Sequence, residues 1–158
     1  MSMILSGAIA FIVMFVAYRL FAGGAGVAFD KDDPRLEQAK QQARATLPQF
    51  WTALEAGDPA TRDFMPKFNL NHGTGHRDNE SIWACDIRRD GGRIFGTLAN
   101  DPRNSAYREG QEVEIRPEAI DDWGYFRGSV AQGNYVTRLM IEAAPAGTAR
   151  MQRQAMGW

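Results

Sequence analysis

A single cysteine, Cys85, occurs in the 158 residues. The chain can therefore form no internal disulfide and is not a disulfide-stapled secreted mini-protein. Neither sign of charge dominates. Eighteen lysines and arginines stand against 19 aspartates and glutamates, which removes the electrostatic ground for nucleic-acid binding. Phosphate-loop spacing is missing: GDPATRD (57–63) and RDGGR (89–93) carry glycines without it. No motif sets a histidine beside Cys85 or a serine, so nucleophilic catalysis has no support. No internal repeat is visible. Apolar material is plentiful: 44% hydrophobic residues and four tryptophans suffice for a core and exclude wholesale disorder. The length fits one domain with an appendage.

The appendage is N-terminal. Met3–Tyr18, MILSGAIAFIVMFVAY, carries no charge, and after Arg19 the stretch LFAGGAGVAF continues apolar to Phe29. A membrane-spanning helix needs about 20 apolar residues, and an arginine near its end can snorkel to the headgroups. Residues 1–22 therefore read as a transmembrane anchor that meets the membrane through residues 3–22. Residues 23–32, with Gly23, Gly24 and Gly26, read as a flexible linker. A cleaved signal peptide is the alternative, with Gly26-Val27-Ala28 as its small-residue cleavage site. Against it, no basic residue precedes the apolar run. Arg19 on the C-terminal flank puts the main domain in the cytoplasm by the positive-inside rule; a signal peptide would put it outside.

The rest reads as α+β. Asp33-Pro34 starts a helix as N-cap and first-turn proline. Leu36, Ala39, Ala43, Leu47, Phe50 and Leu54 form its apolar face, Pro48 kinks or restarts it, and Gly57 stops it. From Phe64 the period becomes two, through Pro66, Phe68 and Leu70. Residues 71–79 form a loop. Ser81–Arg88 and Arg93–Leu98 are strands joined by a turn at Asp90-Gly91-Gly92, with Trp83, Cys85 and Ile87 on one face. Gln111–Arg116 is a strand with Val113 and Ile115 inward, Tyr125-Phe126 a short one, and Asn134–Ile141 the last. Residues 143–158 form a frayed or loosely docked tail. The expected fold is one long amphipathic helix packed on a curved antiparallel sheet or small open barrel of about five or six strands.

Seven motifs in order carry a likeness. They are the helix ending in Phe50, the Lys67-Phe68 strand, NESIW (79–83), GRIFGTLANDP (92–102), REGQEVEI (108–115), IDDWGY (120–125) and GNYVTRLM (133–140). Over residues 35–142 the chain resembles the bacterial DUF2314 family, a domain of unknown function. The resemblance implies a shared fold for residues 33–142 and supplies no activity. It also implies a bacterial setting, so the anchor reads as a single pass through the inner membrane. The family pattern usually has a histidine after the glutamate, where Ser81 stands here. The pattern is also distantly similar to small toxin-immunity domains, an analogy only.

Candidate binding residues are Glu80, Trp83, Asn100, Asp122, Trp123, Tyr135 and Arg138. Asp121-Asp122-Trp123 reads as a turn whose carboxylate takes backbone N–H bonds while the indole plugs the core. Alternatively it is a binding edge, an acidic group beside an exposed indole. Adjacent carboxylates on a strand point to opposite faces, which argues against a catalytic pair. His72 and His76 are weak metal candidates, because Gly73 and Gly75 make a helix between them improbable. No catalytic residue, metal or cofactor is assigned. The reading favours a membrane-tethered, non-enzymatic interaction module for an unknown protein or envelope partner, contacting it near Trp123. An immunity-like protein that neutralises a toxin and a small metal-dependent hydrolase are the alternatives.

Overall fold

The computed structural model of the chain describes residues 33–158. The expected anchor and linker lie outside the described residues. Among the described residues no helix is long and apolar enough to cross a membrane.

Helix α1 spans Pro34–Ala56. The Asp33 side chain accepts the Arg35 N–H, Pro34 opens the first turn, and Gly57 closes the helix in the left-handed conformation. Pro48 has no N–H to continue the ladder, yet the helix runs through it without restarting. Ala39, Ala43, Phe50 and Ala53 are the residues it buries.

Six strands follow: β1 Thr61–Asn69, β2 Ser81–Asp90, β3 Arg93–Leu98, β4 Glu112–Ile115, β5 Ile120–Arg127 and β6 Val130–Gly133. They form one open sheet in the order β4-β3-β2-β1-β5-β6, with every pairing antiparallel. One irregularity re-aims side chains. Asp86 takes φ 51° where the β2–β3 register shifts between Cys85 and Arg88. The bulge separates Ile87 from Cys85: Ile87 packs with Ile82 and Ala84, while Cys85 joins Met65, Trp83 and Ala99 on the other face. The expected single face for Trp83, Cys85 and Ile87 is thus broken at Asp86.

Alternation along β5 sorts its residues between two layers. Trp123 and Tyr125 meet Ala43, Phe50 and Ala53 of α1. Phe126 turns away and packs with Ala131, Ile141, Ala149 and Met156. The last three come from segments read otherwise in the sequence. Tyr135–Ala143 is a helix, α2, rather than a closing strand. Ala146–Met156 is a third helix, α3, with Ala149, Gln152 and Met156 buried, rather than a frayed tail. The Asp121-Asp122-Trp123 segment likewise lies within β5, not in a turn. The chain enters α2 through Gly133 at φ 70°, where an added Cβ would come within 2.4 Å of Trp123. Only glycine satisfies both the turn and that close approach.

Candidate functional site

Asp122 is fully buried. Its Oδ1 accepts the N–H of Trp123 at 2.9 Å and of Tyr135 at 3.0 Å, and its Oδ2 accepts the N–H of Val136 at 2.9 Å. The carboxylate thereby satisfies the first free N–H groups of α2, where negative charge is favoured. Burial pushes its pKa up to about 6, against the pull of those N–H groups and of Lys67. Lys67 pairs with Asp122 across β1 and β5. Burial lowers the Lys67 pKa, while Asp122 and Asp121 oppose that fall. Asp121 points elsewhere: its Oδ2 accepts the Ser81 hydroxyl at 3.0 Å, and its Oδ1 lies 3.8 Å from Lys40 and 3.5 Å from Arg44. The two adjacent carboxylates do not converge.

Trp123 is 2% exposed, and its indole N–H donates to the Ala43 carbonyl at 2.8 Å. It offers no exposed indole, and β5 is an interior strand. Tyr135 meets it edge-on at 5.8 Å. Arg138 sits on α2, not on an outer strand face. Its Nε donates to the Gly133 carbonyl at 3.0 Å, and its guanidinium lies 3.7 Å from the Trp158 ring centre.

Glu80 is buried at the start of β2. Its Oε1 accepts the Arg103 N–H and its Oε2 the Asn104 N–H at 3.0 Å, which ties loop 99–111 to loop 70–80. Asn104 continues the tie by donating to Asn71 at 2.7 Å. Asn100 accepts the Trp83 N–H at 3.3 Å, and Trp83 is buried with Met65 and Ala99. His72 faces Glu118, its Nε2 3.9 Å from Oε1, and His76 stands exposed in the loop. Among the described residues no group of three His, Cys, Asp or Glu side chains could hold a metal ion. Glu80, His72 and Asp122 thus have separate partners and form no common pocket.

A different set of residues does form a concavity. A groove of about 690 Å³ opens between loop 70–74 and the stretch 107–119. Phe68, Leu70, Ile94 and Ile115 give it an apolar floor, and half-buried Tyr107 and Val113 stand in its walls. Charge gathers on the rim. Arg88 pairs with Glu112 and Arg93 with Glu114. The Arg116 guanidinium makes no hydrogen bond or close ion pair among the described residues; its charge reaches Glu114 at longer range. Its guanidinium lies against the loop, 3.0 Å from where a Cβ at Gly73 would stand. The sequence offered two fragments of this groove, inward-facing Val113 and the glycine loop after His72, without any sign that they meet.

Residues 33–157 match DUF2314, described as an uncharacterised protein conserved in bacteria. The chain belongs to the DUF2314 family. It is also 30% identical over 117 residues to the uncharacterised protein YegJ of Escherichia coli (strain K12), covering 72% of each chain. No solved structure matches. The DUF2314 match runs past residue 142 through α3. It therefore takes in the buried side chains Ala149 and Met156.

Proposed function

We propose that this DUF2314 protein is a non-enzymatic interaction module, tethered to a membrane by residues 3–22, that receives a protein or envelope partner in the groove beside β4. The groove carries the reading. Its volume of about 690 Å³ is as large as that of small-molecule pockets, about 300–1,000 Å³, and it combines an apolar floor with a few polar groups on the rim. Glu80, Asn100 and Asp122 direct their oxygens to the protein's own backbone, which speaks for scaffold roles. Buried Trp123 gives up the contact role to Tyr107 and Val113 in the groove.

Photo-crosslinking tests this. Benzoylphenylalanine at position 107 of the full chain, in its own membrane, is expected to give a discrete adduct that disappears when Val113→Arg fills the groove. No adduct, or one that Val113→Arg leaves unchanged, would sink the groove reading.

A further inference from the structure

We infer that the partner enters the groove as an extended peptide, adds a strand to the free edge of β4, and sets an acidic group against Arg116. This deepens the reading above and rests on it. β4 is the terminal strand of the sheet, and all six residues from Gln111 to Arg116 line the groove. Side chains of a strand alternate between faces. Six consecutive lining residues therefore mean that the backbone edge itself turns into the groove.

The register says which backbone groups are free. The Leu98 N–H donates to the Gln111 carbonyl at 2.9 Å, and Gly96 stands opposite Val113 and Ile94 opposite Ile115. Hydrogen-bonded pairs recur at every second residue of an antiparallel ladder. Val113 and Ile115 therefore bond to β3, and the N–H and C=O groups of Glu112 and Glu114 face outward. An incoming strand supplies partners for them, while its side chains meet Val113 and Tyr107.

Charge selects the occupant. Glu112 and Glu114 are already paired with Arg88 and Arg93. Among the described residues the Arg116 guanidinium has no close ion-pair partner, and Glu118, two residues on, is turned to His72. A guanidinium left in this state at the end of a groove takes a carboxylate best, by two parallel N–H···O bonds. β4 is short and charged, which discourages indiscriminate pairing between copies of the chain. The segment that docks is therefore one with apolar residues in alternation and an acidic residue at the Arg116 end.

The test uses the full chain and a displayed library of random decapeptides. Selected peptides are expected to carry that pattern and to slow amide exchange at Glu112 and Glu114. Glu114→Pro keeps the β3 ladder, because that N–H faces outward, so it should fold with a near-normal melting temperature. It should weaken the selected peptides at least about tenfold, as should Arg116→Gln. Glu114→Ala, which also lacks the Arg93 pair, should bind normally. A library that yields nothing overturns the inference. Peptides lost on Val113→Arg but indifferent to Glu114→Pro end strand addition and leave the groove reading standing. Indifference to Arg116→Gln ends the acidic requirement.

Discussion

Replacing Asp122 by alanine leaves three N–H groups, the buried ones of Trp123 and Val136 and the half-buried one of Tyr135, without the acceptor they now have. Each such loss costs about 1–3 kcal/mol, so Asp122→Ala should lose at least about 3 kcal/mol in urea denaturation. An unchanged midpoint would remove the anchoring role. The same carboxyl has a pH signature of definite sign. Its pKa in the fold is about 6, above its ordinary 3.8, so the folded state holds the proton more tightly than the unfolded one. The associated stability is present below the lower value and is lost as pH rises through about 6. Asp122→Asn should flatten that part of the stability–pH curve. Cys85 is shifted as well: burial first, then the Asp86 charge, raises its thiol to about 11. Alkylation by iodoacetamide should therefore be slow at neutral pH, rise roughly tenfold per pH unit toward that value, and quicken at neutral pH in Asp86→Asn. A thiol that reacts at neutral pH as fast as a free cysteine would contradict this.

At the level of elements, α1 meets β5 through an apolar interface that holds one buried hydrogen bond, from the Trp123 indole to the Ala43 carbonyl, with the Asp121 ion pairs to Lys40 and Arg44 at its margin. Trp123→Phe keeps a ring among Phe50, Tyr125 and Tyr135 but removes that donor. A loss of about 1–2 kcal/mol in thermal or chemical melting is expected; no loss would mean the carbonyl finds another donor. α1 itself was legible because its cap, its first-turn proline, its apolar face and its closing glycine all lie within one short stretch. The β2–β3 hairpin was legible for the same reason, at Asp90-Gly91-Gly92. α2 was not. Tyr135, Thr137, Leu139 and Ile141 fit a period of two, and Val136 with Met140 fits a helix equally well. What decides is the Asp122 carboxylate at the Tyr135 and Val136 N–H groups, a contact made only once the sheet exists. The bulge at Asp86 escaped for a similar reason, since nothing in the local residues marks its positive φ. The groove was least legible, because its two walls are far apart in the chain and meet only through the strand order.

Across the whole molecule, that strand order divides the sheet into two runs of sequential neighbours, β1 to β4 and β5 to β6, joined where β1 meets β5. The junction pairs Phe68 with Ile120, so it closes a long stretch of chain, a slow step in folding. The ribosome delivers the two runs in sequence. While β1 to β4 have emerged and β5 has not, β1 is an open edge, α1 lacks the ring of Trp123 against Phe50, and the apolar faces of both wait in solvent. Proteins begin to fold from the N-terminal side during synthesis, and exposed edges at that stage invite wrong pairing. Nascent chains arrested with residue 116 just outside the exit tunnel should therefore be cut readily by a protease, and chains arrested beyond residue 158 should resist it. Equal resistance at both lengths would mean that the first run closes without β5. On this account the most hazardous interval in the life of the protein is the time needed to translate from β1 to β5, when a chaperone would find its clearest target.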